Sequence, residues 1–84
     1  MKTFELNPVN GRKSFYGKCR VEQINNVSTL LSYETEVAEY YHKTNEMKIT
    51  KDKNLLTNTT LTHIRAFLNF YGFDPMTKKQ ILNK

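Results

Sequence analysis

Cysteine, glycine and proline are scarce in this sequence, and long apolar runs are absent. Its 84 residues include one cysteine, three glycines and two prolines. The single cysteine, Cys19, excludes both an intramolecular disulfide framework and a zinc site built from cysteines. No apolar run approaches the roughly 18 residues that cross a bilayer, and the first four residues are followed by polar ones rather than by the apolar segment of a signal peptide. We therefore expect a cytosolic protein without membrane contact.

The apolar residues that are present suffice for one small core. Hydrophobic residues make up 38% of the chain, and five tyrosines and five phenylalanines are among them. A chain of this length buries roughly 60–65% of the surface that it exposes when unfolded. That leaves room for one core and one binding surface, but hardly for a deep catalytic cleft. Because no repeat or linker is visible, we predict a single domain over residues 1–84.

Charge is distributed in three blocks along the chain. The net charge is +5 overall. Residues 1–20 carry five cations against one carboxylate, residues 21–46 one cation against five carboxylates, and residues 47–84 seven cations against two carboxylates. An acidic middle between basic ends permits separate acidic and basic faces on one domain. It is equally compatible with ordinary surface ion pairs, each of which contributes little to stability.

The first half of the chain has the alternation that is typical of strands. Apolar and polar side chains alternate through residues 14–24, and Gly17 in their middle predicts a bulge or a close neighbour. Asn25 and Asn26 suit a tight hairpin turn. The next stretch is long for one strand, so we expect a bend or bulge near residues 36–39. The predicted strands are residues 14–24, 27–41 and 47–50, with residues 3–6 as an additional edge strand.

The second half has the periodicity of helices. Apolar side chains recur three or four residues apart, which indicates an amphipathic helix, at Leu61, Ile64, Leu68 and Tyr71. Residues 57–59 offer three possible N-caps, and Gly72 suits the left-handed position that ends a helix. Asp74 and Pro75 predict the start of a short second helix. The fold class is therefore α+β: a three- to four-stranded antiparallel meander packed by one C-terminal amphipathic helix, plus a short tail helix.

A basic segment with an interleaved aromatic residue is the first candidate for a binding site. If its side chains point outward together, the cations would neutralise phosphates and the tyrosine would stack on a base. The residues are Arg12, Lys13, Tyr16, Lys18 and Arg20, to which Lys78 and Lys79 could add. The segment lacks the G-x-x-x-x-G-K-[ST] pattern of a phosphate-binding loop. The same composition is also typical of a solubilised hairpin whose lysines discourage edge-to-edge pairing.

An acidic segment is the second candidate. Glu34 and Glu36 are expected to share a strand face, about 7 Å apart. With Glu39 and Tyr40 they would form a patch on which a basic partner protein docks. Carboxylates at that spacing can also bind a hard cation or act in acid–base catalysis, but nothing else in the sequence converges on them. A solvated face without a partner is the remaining alternative.

Histidine and cysteine form no catalytic or metal-binding pattern. Neither His42 nor His63 has a second histidine or a cysteine three or four residues away. Cys19 alternates in register with the apolar residues of its predicted strand, which indicates a small buried residue rather than a reactive thiol. We therefore expect a protein that is not an enzyme and that uses no metal or cofactor.

Three segments resemble a family of small uncharacterised proteins of phages and prophages of low-GC Gram-positive bacteria. The family pattern is N-G-x-K-S-F-Y-G-K, S-Y-x-T-x-V-A and T-T-x-x-H-I-x-x-F-L, and residues 10–18, 32–38 and 59–68 are similar to it. The resemblance implies a phage or mobile-element origin, and with it the cytoplasm of a bacterial host, but no assigned activity. It also implies a hydrogen-bond network, structural or functional, that joins strand to helix through Ser32, Tyr33, Thr35, Thr60 and His63.

These patterns leave three functions open. The first is a small non-enzymatic binding protein of phage type that acts on nucleic acid, or on a nucleic-acid-associated complex, through the basic strand face. The alternative is an inhibitor or modulator of a host enzyme, such as an anti-CRISPR or other anti-defence protein, that docks through the acidic row and exposed tyrosines. The third is self-association, for instance as a homodimer, through an open sheet edge or through the aromatic residues at the helix end.

Overall fold

An antiparallel sheet followed by two helices makes up the chain in a computed structural model, which describes residues 2–6 and 17–83. The strands lie side by side in chain order. They are β1 (Lys2–Glu5), β2 (Cys19–Ile24), β3 (Val27–Ser32), β4 (Thr35–Tyr41) and β5 (Glu46–Ile49), and the helices are α1 (Asn58–Phe70) and α2 (Lys78–Leu82). No helix within the described ranges is long and apolar enough to cross a membrane.

A hairpin turn divides the single long strand that was predicted for residues 27–41. Ser32 pairs with Thr35, so that Tyr33 and Glu34 form a two-residue loop with φ values of 52° and 70°. Left-handed φ at both loop residues is typical of a type I′ turn, where glycine or asparagine is usually found. Since neither residue type is present, the prediction missed this turn. The described part of the sheet has five strands rather than three or four.

The bulge expected near residues 36–39 is confirmed. Leu30 pairs with Ala38 and Leu31 with Glu36, which leaves Val37 as the extra residue of β4. A bulge rotates the strand locally, and accordingly Val37 and Ala38 are both buried although they are consecutive.

The start of β2 differs from the prediction. Gly17 lies in a turn before the strand, with φ of 75°, and not in the middle of a strand. A Cβ at this position would come within 3.1 Å of a carboxylate oxygen at the end of the flexible Glu5 side chain, so the left-handed φ is the stronger reason for glycine here. Residues 14–16, the beginning of the predicted strand, lie outside the described residues.

The core lies between α1 and one side of the sheet. The apolar stripe predicted for the helix is confirmed, because Ile64, Phe67 and Leu68 are all buried against the sheet cluster that contains Val21 and Leu30. Each such side chain contributes about 1.5–3 kcal/mol by leaving water. Cys19 is 0% exposed in the same cluster, and burial raises the pKa of its thiol to about 12. It is the small buried residue that the alternation predicted.

Two of the predicted helix ends are confirmed and one is wrong. Thr57 is the N-cap of α1, and its hydroxyl accepts the N–H of Thr60 at 3.2 Å. Gly72 follows α1 with φ of 80°. The tail helix begins after Thr77 rather than at Asp74 and Pro75, because Thr77 and Gln80 form a capping box in which each side chain accepts the other's backbone N–H.

Candidate functional site

The side of the sheet that faces away from α1 is acidic. Residues that pair directly across neighbouring strands project to the same side, so the register groups side chains from all five strands. Among the described strand residues, five carboxylates and two cations belong to this side. We call it the acidic face: Glu5, Glu22, Glu36, Glu39 and Glu46, with Arg20 and Lys48.

The bulge and the hairpin turn determine which predicted carboxylates share this face. Glu36 and Glu39 are three residues apart, and they project to the same side only because Val37 is the extra residue between them. Glu34 lies in the turn instead of on the strand. This corrects the expectation that Glu34 and Glu36 share a strand face. Glu34 lies at the border of the acidic face, where its carboxylate is 3.4 Å from the guanidinium of Arg20.

Two residues of the predicted basic segment, Lys18 and Arg20, lie in the described part of the chain. Arg20 projects outward as expected, but it lies among carboxylates: Glu5 is its partner on β1, and Glu34 forms the ion pair. Lys18 precedes β2 and is exposed, with its Nζ 5.3 Å from the centre of the Tyr33 ring. Arg12, Lys13 and Tyr16 lie outside the described residues.

The two adjacent tyrosines of β4 point in opposite directions. Tyr40, which we expected in the docking patch, is 8% exposed on the helix side. Its ring stacks on that of Tyr71 at 4.3 Å, and its hydroxyl donates to Asn45. This burial corrects the expectation that Tyr40 is available to a partner. Tyr41 takes its place on the outer side, where its hydroxyl donates to Glu39 at 3.2 Å and its ring lies 5.2 Å from the Nζ of Lys48.

An exposed tyrosine marks one corner of the sheet, at the β3–β4 turn. Tyr33 is 51% exposed although its φ is left-handed, which is uncommon for a bulky residue. Its ring centre lies 5.6 Å from that of the His63 imidazole on α1 and 5.3 Å from the Nζ of Lys18. We call Tyr33 with Lys18, Arg20 and Glu34 the Tyr33 corner.

A buried network of polar side chains fastens this corner to α1. The hydroxyl of Ser32 lies 3.0 Å from that of Thr60 and 2.8 Å from Nδ1 of His63. Three of the five residues that the resemblance implied are thus joined by hydrogen bonds. Tyr33 joins them by its ring contact, while Thr35 lines the cavity next to them. Burial lowers the pKa of His63, so the network holds a neutral imidazole near neutral pH.

Two serine–histidine pairs exist within the described residues, and in both the serine is closed to solvent. Ser32 is 2% exposed beside His63, and Ser28 is 0% exposed. The hydroxyl of Ser28 lies 2.6 Å from Nε2 of His42 and accepts a hydrogen bond from Tyr71 at 2.8 Å. A serine acting as nucleophile must reach its substrate, and these two serines instead bridge strands to helix and loop. Within residues 2–6 and 17–83, no group of three metal-ligating side chains is close enough to hold an ion.

Nearly the whole chain matches one protein family. Residues 4–84 match a family of unknown function (DUF8033). The chain belongs to this family. Its membership agrees with the resemblance to uncharacterised proteins, and the matched residues include both the acidic face and the Tyr33 corner. No curated protein and no solved structure matches the chain.

Sequence reasoning missed Lys48 and three carboxylates of the acidic face, and it misplaced Tyr33. Glu5, Glu22 and Glu46 come from three different strands, and only the pairing of those strands brings them to one face. Tyr33 was assigned to a strand face instead of a turn. The unusual length of the predicted second strand was the one available signal, because 15 residues exceed the common strand length of about 5–6.

Proposed function

We propose that this protein is a non-enzymatic binding protein that docks on a basic partner protein through the acidic face. The observation that carries the proposal is the gathering of five carboxylates on the side of the sheet that faces away from α1, where two cations of the described strands accompany them. One of those cations, Arg20, is paired with Glu34. A surface of one charge sign accelerates encounter with an oppositely charged partner and disfavours wrong ones.

The resemblance to phage proteins supports a bacterial host as the place of action. We infer a phage or mobile-element origin and a partner in the host cytoplasm. A small domain that covers a basic surface of a host enzyme would act as its inhibitor or modulator, and an anti-defence role belongs to this class. Tyr41 adds an aromatic ring to the face, and tyrosine is enriched at protein interfaces.

Binding to nucleic acid is the second candidate, and one observation favours it. Lys18 and the exposed ring of Tyr33 lie together at the Tyr33 corner, and the basic residues Arg12 and Lys13 precede them closely in sequence. Cations beside an aromatic ring suit a single strand of nucleic acid. Glu34 at the same corner opposes this function by repelling phosphates.

The test of docking compares two charge-matched variants. Wild-type protein, the variant Glu36→Gln/Glu39→Gln and the control Asp52→Asn/Asp74→Asn are immobilised and exposed to bacterial lysate. Each of the two variants lacks two of the negative charges of wild type. The bound protein is identified and then titrated in purified form. We expect the Glu variant to bind it about tenfold more weakly, or about 1.4 kcal/mol, and the control to bind like wild type. Equal affinity of the two variants would contradict docking through the acidic face.

The test of nucleic-acid binding is a fluorescence-anisotropy titration. Labelled duplex and single-stranded DNA are titrated with wild type and with Arg12→Ala/Lys18→Ala at two salt concentrations. Affinity that falls steeply with salt and disappears in the folded variant would favour the second candidate. Absence of binding even at low salt would reject it.

A further inference from the structure

The outer edge of β5 presents the backbone groups of two residues. Within the described part of the chain, β5 pairs with β4 alone. Thr50 donates its N–H to the carbonyl of Val37 at 2.9 Å, and successive residues of an antiparallel strand direct their backbone groups to alternate edges. The backbone groups of Thr50, Lys48 and Glu46 are therefore directed toward β4. Those of Met47 and Ile49 are directed away from the sheet.

Charge selects one way in which two copies of this edge can pair. Antiparallel pairing requires outward-directed residues to lie opposite each other. Three registers meet this condition. In the first Met47 lies opposite Met47 of the second copy, in the second Met47 lies opposite Ile49, and in the third Ile49 lies opposite Ile49. The second register places Lys48 opposite Lys48, which is destabilising. The third leaves Lys48 opposite Thr50. Only the first places Lys48 opposite Glu46, and symmetry makes it do so twice, at positions where Cβ atoms are only about 4.5–5.5 Å apart.

An apolar groove follows the same edge on the helix side. Its first part has a volume of about 300 Å³ and runs beside Met47 and Ile49. A second part of about 650 Å³ also contains Met47 and extends to the end of α1. The apolar residues that line the two parts are Met47, Ile49, Leu68, Phe73, Pro75, Met76 and Ile81. In the first register the grooves of two copies meet at Met47, whose flexible thioether adapts to irregular apolar surfaces.

We propose that a second copy of this chain is the occupant of the β5 edge. The two strands pair antiparallel about a two-fold axis at Met47, Glu46 of each copy faces Lys48 of the other, and the two sheets become one sheet of ten strands. This inference does not rest on the proposed partner of the acidic face, although Glu46 and Lys48 belong to that face.

Charge exchange tests the register. Molar mass is measured by sedimentation over a range from about 1 µM to about 1 mM, where a weak dimer becomes visible. Wild type is expected to change from 9.9 kDa to twice that mass. Lys48→Glu alone and Glu46→Lys alone are expected to remain monomers, because each creates like-charge pairs across the axis. An equimolar mixture of the two is expected to regain the dimer, because each variant then faces its complement.

Disulfide trapping tests the axis with variants that leave the charges intact. Met47→Cys places two thiols opposite each other, at a Cα separation of about 5.5 Å that a disulfide can span. Ile49→Cys is the matched control, since its thiols would lie several residues apart. The wild-type chain, whose single thiol is buried, is the blank. We expect the Met47 variant alone to give a cross-linked dimer under mild oxidation. A chain that stays monomeric throughout the concentration range, or cross-linking of the Ile49 variant in preference, would overturn the proposal.

Discussion

At the scale of single residues, hydrogen bonding decides which polar side chains the core tolerates. Ser32, Thr60 and His63 are buried together and each has a hydrogen-bond partner. Every buried side-chain nitrogen or oxygen in the described part of the chain is likewise paired. A buried polar group without a partner costs about 1–3 kcal/mol. The network therefore permits a polar junction between β3 and α1 without destabilising the fold.

The buried imidazole makes stability depend on pH. Desolvation lowers the pKa of His63 from 6.5 in the folded state, so below pH 6.5 the unfolded chain takes up a proton that the folded chain does not. The free energy of unfolding should therefore fall as pH drops from 6.5 toward the folded-state pKa, by at most about 1.4 kcal/mol per pH unit for one proton. Denaturant titrations across this range should show the slope in wild type and a smaller slope in His63→Gln. Equal slopes would assign the dependence to other groups.

At the scale of elements, the end of α1 shows a local motif that the sequence predicts well. The N–H of Gly72 donates to the carbonyl of Asn69 at 3.1 Å, and the N–H of Phe73 donates to that of Leu68 at 2.8 Å. These two bonds form a Schellman motif, which needs a left-handed residue after the helix. Glycine adopts that conformation without strain, and its position one residue beyond Tyr71 fixes the end of α1.

Replacing this glycine isolates the backbone contribution. A Cβ at position 72 would meet no atom within 4 Å, so Gly72→Ala adds left-handed strain and no clash. We expect the free energy of unfolding to fall by about 1 kcal/mol. Thermal unfolding followed by circular dichroism measures the loss, with Gly72→Asn as control, because asparagine tolerates the left-handed region and should lose less. A loss in the alanine variant no larger than in the asparagine variant would exclude backbone strain as the cause.

Local sequence patterns predicted a helix, strand or helix end correctly where a regular spacing of apolar residues or a single glycine indicates it. The periodicity of apolar residues predicted α1, the alternation of residues predicted β5, and the glycine after α1 predicted where this helix ends. The turn at Tyr33 was missed because the residues there are not the usual ones for positive φ, and its left-handed conformation comes together with tertiary contacts to Lys18 and His63. The choice of Tyr40 for the core over Tyr41 follows from the bulge at Val37. The length of the predicted strand located this bulge only to within a few residues.

At the scale of the whole molecule, the sheet combines charges that the sequence keeps in separate blocks. The acidic middle of the chain supplies Glu22, Glu36, Glu39 and Glu46, and β1 adds Glu5 from the basic N-terminal block. Pairing of the strands thereby concentrates carboxylates on the side of the sheet that faces away from α1. Block charges indicated that an acidic face was possible, whereas its location required the register.

The β5 edge of the sheet should differ from the centre of the sheet in the rate of amide hydrogen exchange. Amides of β3 are bonded within the sheet on both sides, since β3 pairs with β2 and β4, and they open only in larger unfolding events. The amides of Met47 and Ile49 point away from β4, so in a monomer they exchange rapidly. The neighbouring amide of Thr50, bonded to Val37, is protected in monomer and dimer alike.

Pairing of two copies through β5 would change this pattern in a concentration-dependent way. Hydrogen exchange is followed by NMR at a concentration where the chain is monomeric and at one where it associates. We expect the amide of Met47 to slow most at the higher concentration, because it then donates to the carbonyl of the second copy's Met47. The residue opposite Ile49 is Asn45, which lies in the turn before β5. The rates of Thr50 and of β3 should change much less. Association that leaves the amide of Met47 exchanging rapidly would place the dimer interface elsewhere on the molecule, and the acidic faces of the two copies would then not form one continuous surface.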